Sequence, residues 1–117
     1  MARNRKVNVL PKELFAETER IRLDCLLTDL ALCFTFVDSL WLELEMGDWD
    51  AAQWLLAETE KGYATITRLV RYIADVQGRH EIKRGLNELR TTLDGVRHQL
   101  RRGLTLVPSH QSANEVD

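Results

Sequence analysis

Proline is scarce in this chain, with only Pro11 and Pro108. No proline therefore interrupts helix formation between them. Cysteine is as rare, with only Cys25 and Cys33. They are spaced for neither a Cys-x-x-Cys motif nor a Cys/His zinc set. On a helix rising about 1.5 Å per residue they would stand about 12 Å apart, too far for a disulfide. No aromatic residue follows Tyr72, so the last third has nothing to stack on a base. A phosphate-binding loop, a nucleophile elbow and a Glu-x-x-His di-iron pair are all missing. Asp94 and His98 share one helix face but lack a third metal ligand. These absences argue against an enzyme and imply no cofactor. The start, MARNRKVNVLPK, carries no apolar signal core, so a reducing cytoplasm is the expected setting.

What is present is helical periodicity. In the stretch 23–44, Leu23, Leu26, Leu30, Cys33, Val37, Leu40 and Leu44 advance by alternating steps of three and four. Leu27, Phe34 and Trp41 run beside them every seventh residue. That face is broad enough to pack against more than one neighbour. Asp24, Asp29, Asp38 and Glu43 interrupt it too often for a membrane span, so no membrane is expected. The first helix is expected over 11–46, opening at Pro11.

Met46-Gly47-Asp48-Trp49-Asp50 is the clearest punctuation. Gly47 suits the left-handed end of one helix and Asp48 the N-cap of the next. The second helix, expected over 48–76, repeats Ala52, Leu56, Thr59, Tyr63, Ile66, Val70 and Ile73. A turn is expected at 76–80, around Gly78. The third helix, 80–102, carries a narrow seam of Ile82, Leu86, Leu89, Leu93, Val96 and Leu100. Gly85 and Gly95 flank that seam and make its helix dependent on packing. The predicted fold is all-α, an up-down-up antiparallel three-helix bundle with long first and second helices. A flexible basic arm, 1–10, would precede it and a disordered tail, 104–117, would follow. The first helix outreaches the third, so apolar surface near one end of the hairpin is expected to lack cover.

Charge is divided along the chain. Arg3, Arg5, Lys6 and Lys12 give the start a net +4, residues 13–60 carry −10 and residues 61–103 carry +6. Acidic and basic segments would attract within the bundle or between subunits. The basic positions Arg79, Lys83, Arg84, Arg90, Arg97 and Arg101, joined by the N-terminal arm, are candidates for phosphate contacts, with nucleic acid as the alternative partner. Trp41, Trp49 and Trp54 cluster around the hairpin turn as candidate interaction residues, with Trp49 expected to be the most exposed. Leu89, Leu93 and Val96 are candidates on the seam of the third helix.

Two resemblances bear on function. Residues 36–63, FVDSLWLELEMGDWDAAQWLLAETEKGY, resemble one helix-turn-helix unit of the tetratricopeptide family. Gly47, Asp48, Trp49, Asp50 and Ala52 match that family's turn and close-packing positions. The resemblance implies a peptide-binding scaffold, although tandem units at about 34-residue spacing are absent. His80-Glu81-Ile82-Lys83 resembles the His-x-x-Lys pattern of histidine phosphotransfer domains, which implies an exposed phosphorylatable His80. Arg84 stands where that family has glycine. The function expected from the sequence is protein–protein interaction, with this chain as its own partner in a homo-oligomer.

Overall fold

The computed structural model describes the backbone of residues 2–116 and the side chains of residues 11–103. Three α-helices account for nearly all of it: α1 (Ala2–Glu45), α2 (Trp49–Leu69) and α3 (Val76–Val116). A 3₁₀ turn, Val70–Tyr72, follows α2, and there is no strand among the described residues. The fold is all-α. Helix runs further toward both chain ends than the apolar periodicity predicts. Residues 2–10 and 104–116, expected as arm and tail, continue the backbones of α1 and α3, and Pro11 lies inside α1. The side chains of the basic N-terminal positions Arg3, Arg5 and Lys6 lie outside the described residues.

The first turn forms as its residue types require. Gly47 adopts φ +81, a conformation that only glycine enters without strain. Its N–H reaches Leu44 O at 3.1 Å, while Asp48 N–H reaches Glu43 O at 2.9 Å. Two carbonyls left open at the end of α1 are thereby satisfied in a Schellman motif. The Asp48 carboxylate then accepts from Ala51 N at 3.0 Å and caps α2. Asp48→Ala removes that cap and is expected to cost about 1 kcal/mol. An unchanged thermal midpoint would contradict the cap's role.

The second turn falls at 73–75, not at the expected 76–80. Asp75 starts α3: its carboxylate accepts from Gly78 N at 2.8 Å and its carbonyl from Arg79 N at 2.9 Å. Gly78 is therefore a helical residue, buried where a side chain would collide with Leu23. The turn is pinned from outside. Ala74 N donates to the Glu19 carboxylate of α1 at 2.9 Å, and the Arg79 guanidinium donates to Ile73 O at 2.9 Å.

The core lies where the seams meet. Leu26, Leu30, Cys33 and Val37 of α1 pack with Ile66, Val70, Ile73, Ile82, Leu86, Leu89 and Leu93. A second cluster joins Leu40, Ala52, Val96 and Leu100 and carries Trp49 at its edge. Thr59 is fully buried without penalty, because its hydroxyl donates to Leu55 O at 2.7 Å. The Cα radius of gyration is 21.3 Å, against about 13 Å for a compact domain of this length. The difference reflects helices that run well past the core they share. In α1 no described side chain before Leu26 is fully buried.

Candidate interaction surface

The sequence-derived candidates separate cleanly in the structure. Leu89, Leu93 and Val96 are at most 1% exposed and belong to the chain's own core. That seam is consumed by intrachain packing and presents nothing to a partner. The three tryptophans also part company. Trp49, expected to be the most exposed, is half-buried, because its ring closes over Gly103 of α3. Trp54 faces solvent on the side of α2 away from Ala52, and Trp41 lies at the rim.

The basic positions are mixed. Arg79 is spent on the second turn. Arg97 bridges Glu60 of α2 at 2.6 Å and Asp94 at 2.8 Å, an ion pair between the basic and acidic parts of the chain. Arg90 and Arg101 are exposed. Lys83 and Arg84 line a shallow polar depression of about 460 Å³ with Gln77, His80 and Asn87. Among the described residues no three His, Cys, Asp or Glu side chains come together as metal ligands.

The surface that stands out lies apart from the apolar seams. On the outer side of α1, roughly half a turn from the core seam, a second stripe advances by steps of four and three from Leu14 to Met46. Leu14, Ile21, Leu32, Leu42 and Met46 supply its bulk and are between 49% and 69% exposed. Thr18, Cys25, Thr28, Thr35 and Ser39 fill the intervening positions, also exposed. None of the ten carries a charge. The Thr35 hydroxyl donates to Ala31 O at 3.1 Å, which satisfies it within the helix. Glu17, Asp24, Asp38 and Glu45 border one side, while Phe15, Arg22, Asp29, Phe36 and Glu43 border the other. The uncovered apolar surface thus runs along α1 and is not confined to one end of the hairpin.

Toward its first third the stripe opens into an apolar groove of about 460 Å³. Ile21, Arg22, Cys25, Leu26 and Asp29 of α1 line it on one side and Leu69 and Tyr72 on the other. The Tyr72 ring is held by the Arg71 guanidinium, 5.2 Å from its centroid. Two apolar faces on one helix explain another property of α1. The stretch Pro11–Glu45 is long and apolar enough, by length and composition, to cross a membrane, yet only 28% of its most apolar window is buried.

The two thiols sit in opposite environments. Cys25 is exposed in the groove, whereas Cys33 is buried beside Gly62. Burial pushes the Cys33 thiol above its ordinary pKa, and nearby Asp29 adds to the effect. Less thiolate is then available at neutral pH, and access is closed as well. A water-soluble thiol reagent is expected to modify Cys25 in the folded single chain and Cys33 only after unfolding. Equal rates for both would contradict the packing of α1 against α2.

Comparison with protein-family models, curated proteins and solved structures finds no match to this chain.

Proposed function

We propose that this chain is a small non-enzymatic protein that acts through protein–protein contact and self-associates through the outer stripe of α1. The observation that carries the reading is that stripe: ten exposed, uncharged positions at helical spacing, about 48 Å long at 1.5 Å per residue. A scattered set of exposed leucines would call for no explanation, but a continuous strip at heptad spacing matches the length and repeat of another helix. We further propose that the helices run up, down and up as an antiparallel bundle with long first and second helices. Two sets of three contacts support this order. Glu19 reaches Ala74, Cys33 lies beside Gly62 and Leu40 packs on Ala52, so later residues of α1 meet earlier residues of α2. Leu23 faces Gly78, Leu30 faces Gly85 and Leu40 packs with Val96, so α3 ascends alongside α1. A reducing cytoplasm suits the two free thiols.

Leu32→Glu places a charge in the middle of the stripe without touching the core. Sedimentation analysis is expected to show self-association weakened at least about tenfold, equivalent to about 1.4 kcal/mol. The far-UV circular dichroism should stay unchanged. Association equal to that of the parent chain would remove the stripe from the interface.

A second reading rests on the depression formed by Gln77, His80, Lys83, Arg84 and Asn87. Its donors suit a phosphate, and a nucleic acid held there would dissociate steeply as salt rises. Failure to retain DNA or RNA at low salt would remove this reading.

A further inference from the structure

We infer that two copies of the chain pair antiparallel along the outer stripes of α1, about a two-fold axis that crosses between residues 26 and 27. This rests on the self-association proposed above and adds direction and register to it.

Direction follows from charge. Arg3, Arg5, Lys6 and Lys12 lie in the first part of α1, whereas Glu43, Glu45, Asp48 and Asp50 lie at its end and just beyond. Parallel pairing sets base against base at one end and acid against acid at the other. Antiparallel pairing sets the basic start of each copy against the acidic end of the other.

Register follows from the borders of the stripe. An antiparallel heptad pairing can shift only in steps of seven residues. With the axis between residues 26 and 27, Arg22 faces Asp29 of the partner subunit, and the symmetry makes that pair twice. Phe15 faces Phe36 of the partner subunit, which extends the apolar strip. Within the strip, Leu14 meets Ser39 of the partner subunit and Ile21 meets Leu32 of the partner subunit. Glu17 faces Asp38 of the partner subunit, a like-charge contact that the symmetry also makes twice. The register centred on Leu30 is worse. It opposes Glu17 to Glu45, Asp24 to Asp38 and Asp29 to its own copy, and it forms no opposite-charge pair along the strip. The register shifted the other way sets Arg22 against Arg22 and Asp24 against Asp24. Each α1 keeps α2 and α3 on its inner face, so the two bundles lie outside a central helix pair.

The test is a disulfide trap. In a Cys25→Ser background, Leu14→Cys and Ser39→Cys are introduced together and singly. Within one chain these positions are about 37 Å apart, far beyond disulfide reach. Under mild oxidation the double variant is expected to become a covalent dimer in most of the sample, while each single variant stays uncrosslinked. Light scattering on the unmodified full chain is run alongside. Dimers by light scattering that crosslink only through Leu14→Cys alone would overturn the antiparallel arrangement and leave self-association standing. Dimers in which no variant crosslinks would overturn the register. Monomers by light scattering would overturn both the arrangement and the self-association beneath it. Monomers that co-sediment with phosphatidylcholine vesicles would assign the stripe to a lipid surface instead.

Discussion

Leu89→Asp is expected to abolish the cooperative thermal transition and most of the far-UV helical signal. Leu89 is fully buried at the junction of all three helices. Truncating such a leucine to alanine costs about 2–5 kcal/mol from lost transfer energy and the cavity left behind. Aspartate adds an unpaired carboxylate with no basic group among the core residues around it. That adds several kcal/mol more, whether the carboxylate stays charged or takes up a proton. A domain of this kind has only about 5–15 kcal/mol in total. The same change at the neighbouring solvent position Arg90 should leave the melt nearly untouched. A Leu89→Asp variant that keeps both its spectrum and its melting point would show that α3 does not pack through this seam.

The second large effect is a difference in sign. Gly85 and Gly95 lie on the same helix, ten residues apart, and each costs about 1 kcal/mol of helix propensity relative to alanine. Their surroundings differ. A Cβ on Gly85 would collide with the Leu30 side chain of α1, itself 7% exposed and held in the core. A Cβ on Gly95 would meet nothing within 4 Å. Gly95→Ala should therefore stabilise by about 0.5–1 kcal/mol, raising the melting point by a few degrees. Gly85→Ala gains the same propensity but forces Leu30 to move, and overpacking costs about 1–3 kcal/mol. The net result expected is destabilisation by up to about 2 kcal/mol. If both variants stabilise equally, α3 does not approach α1 at Leu30, and the ascending register of α3 along α1 is wrong.

Much of the helix pattern was legible in the sequence because it rests on local chemistry. Gly47 and Asp48 end one helix and begin the next through backbone geometry and one carboxylate, and both features are written in four residues. Among the described residues after Gly78, the buried positions of α3 coincide with the seam from Ile82 to Leu100, because a period of 3.5 residues has only one way to face a neighbour. The second turn was less legible. Gly78 read as a helix breaker, but its small size serves a contact with Leu23 that is distant in sequence. The cap that sets the boundary is Asp75, three residues before Gly78. The direction of a side chain within a tight cluster was also beyond local pattern, as Trp49 shows by folding onto Gly103.

The outer stripe of α1 was written in the sequence and hidden by composition. Up to Leu42 its bulky residues recur only at every second or third stripe position. Threonines, a serine and a cysteine separate them, and acidic borders make that side look like an ordinary solvated face. Only after the core claims the opposite side does the lack of any charge along ten successive stripe positions become informative. The same step removes Leu89, Leu93 and Val96 as interface residues, since a seam read alone cannot distinguish an internal helix contact from an external one.

Molar mass in solution, measured by size-exclusion chromatography with light scattering across micromolar concentrations, tests self-association most directly. Pairing through α1 is expected to give about 27 kDa, twice the 13.5 kDa of the chain, with Leu32→Glu moving the mass back toward the monomer. A mass that stays at 13.5 kDa at every concentration would contradict the assignment of the outer stripe to a second copy of this chain.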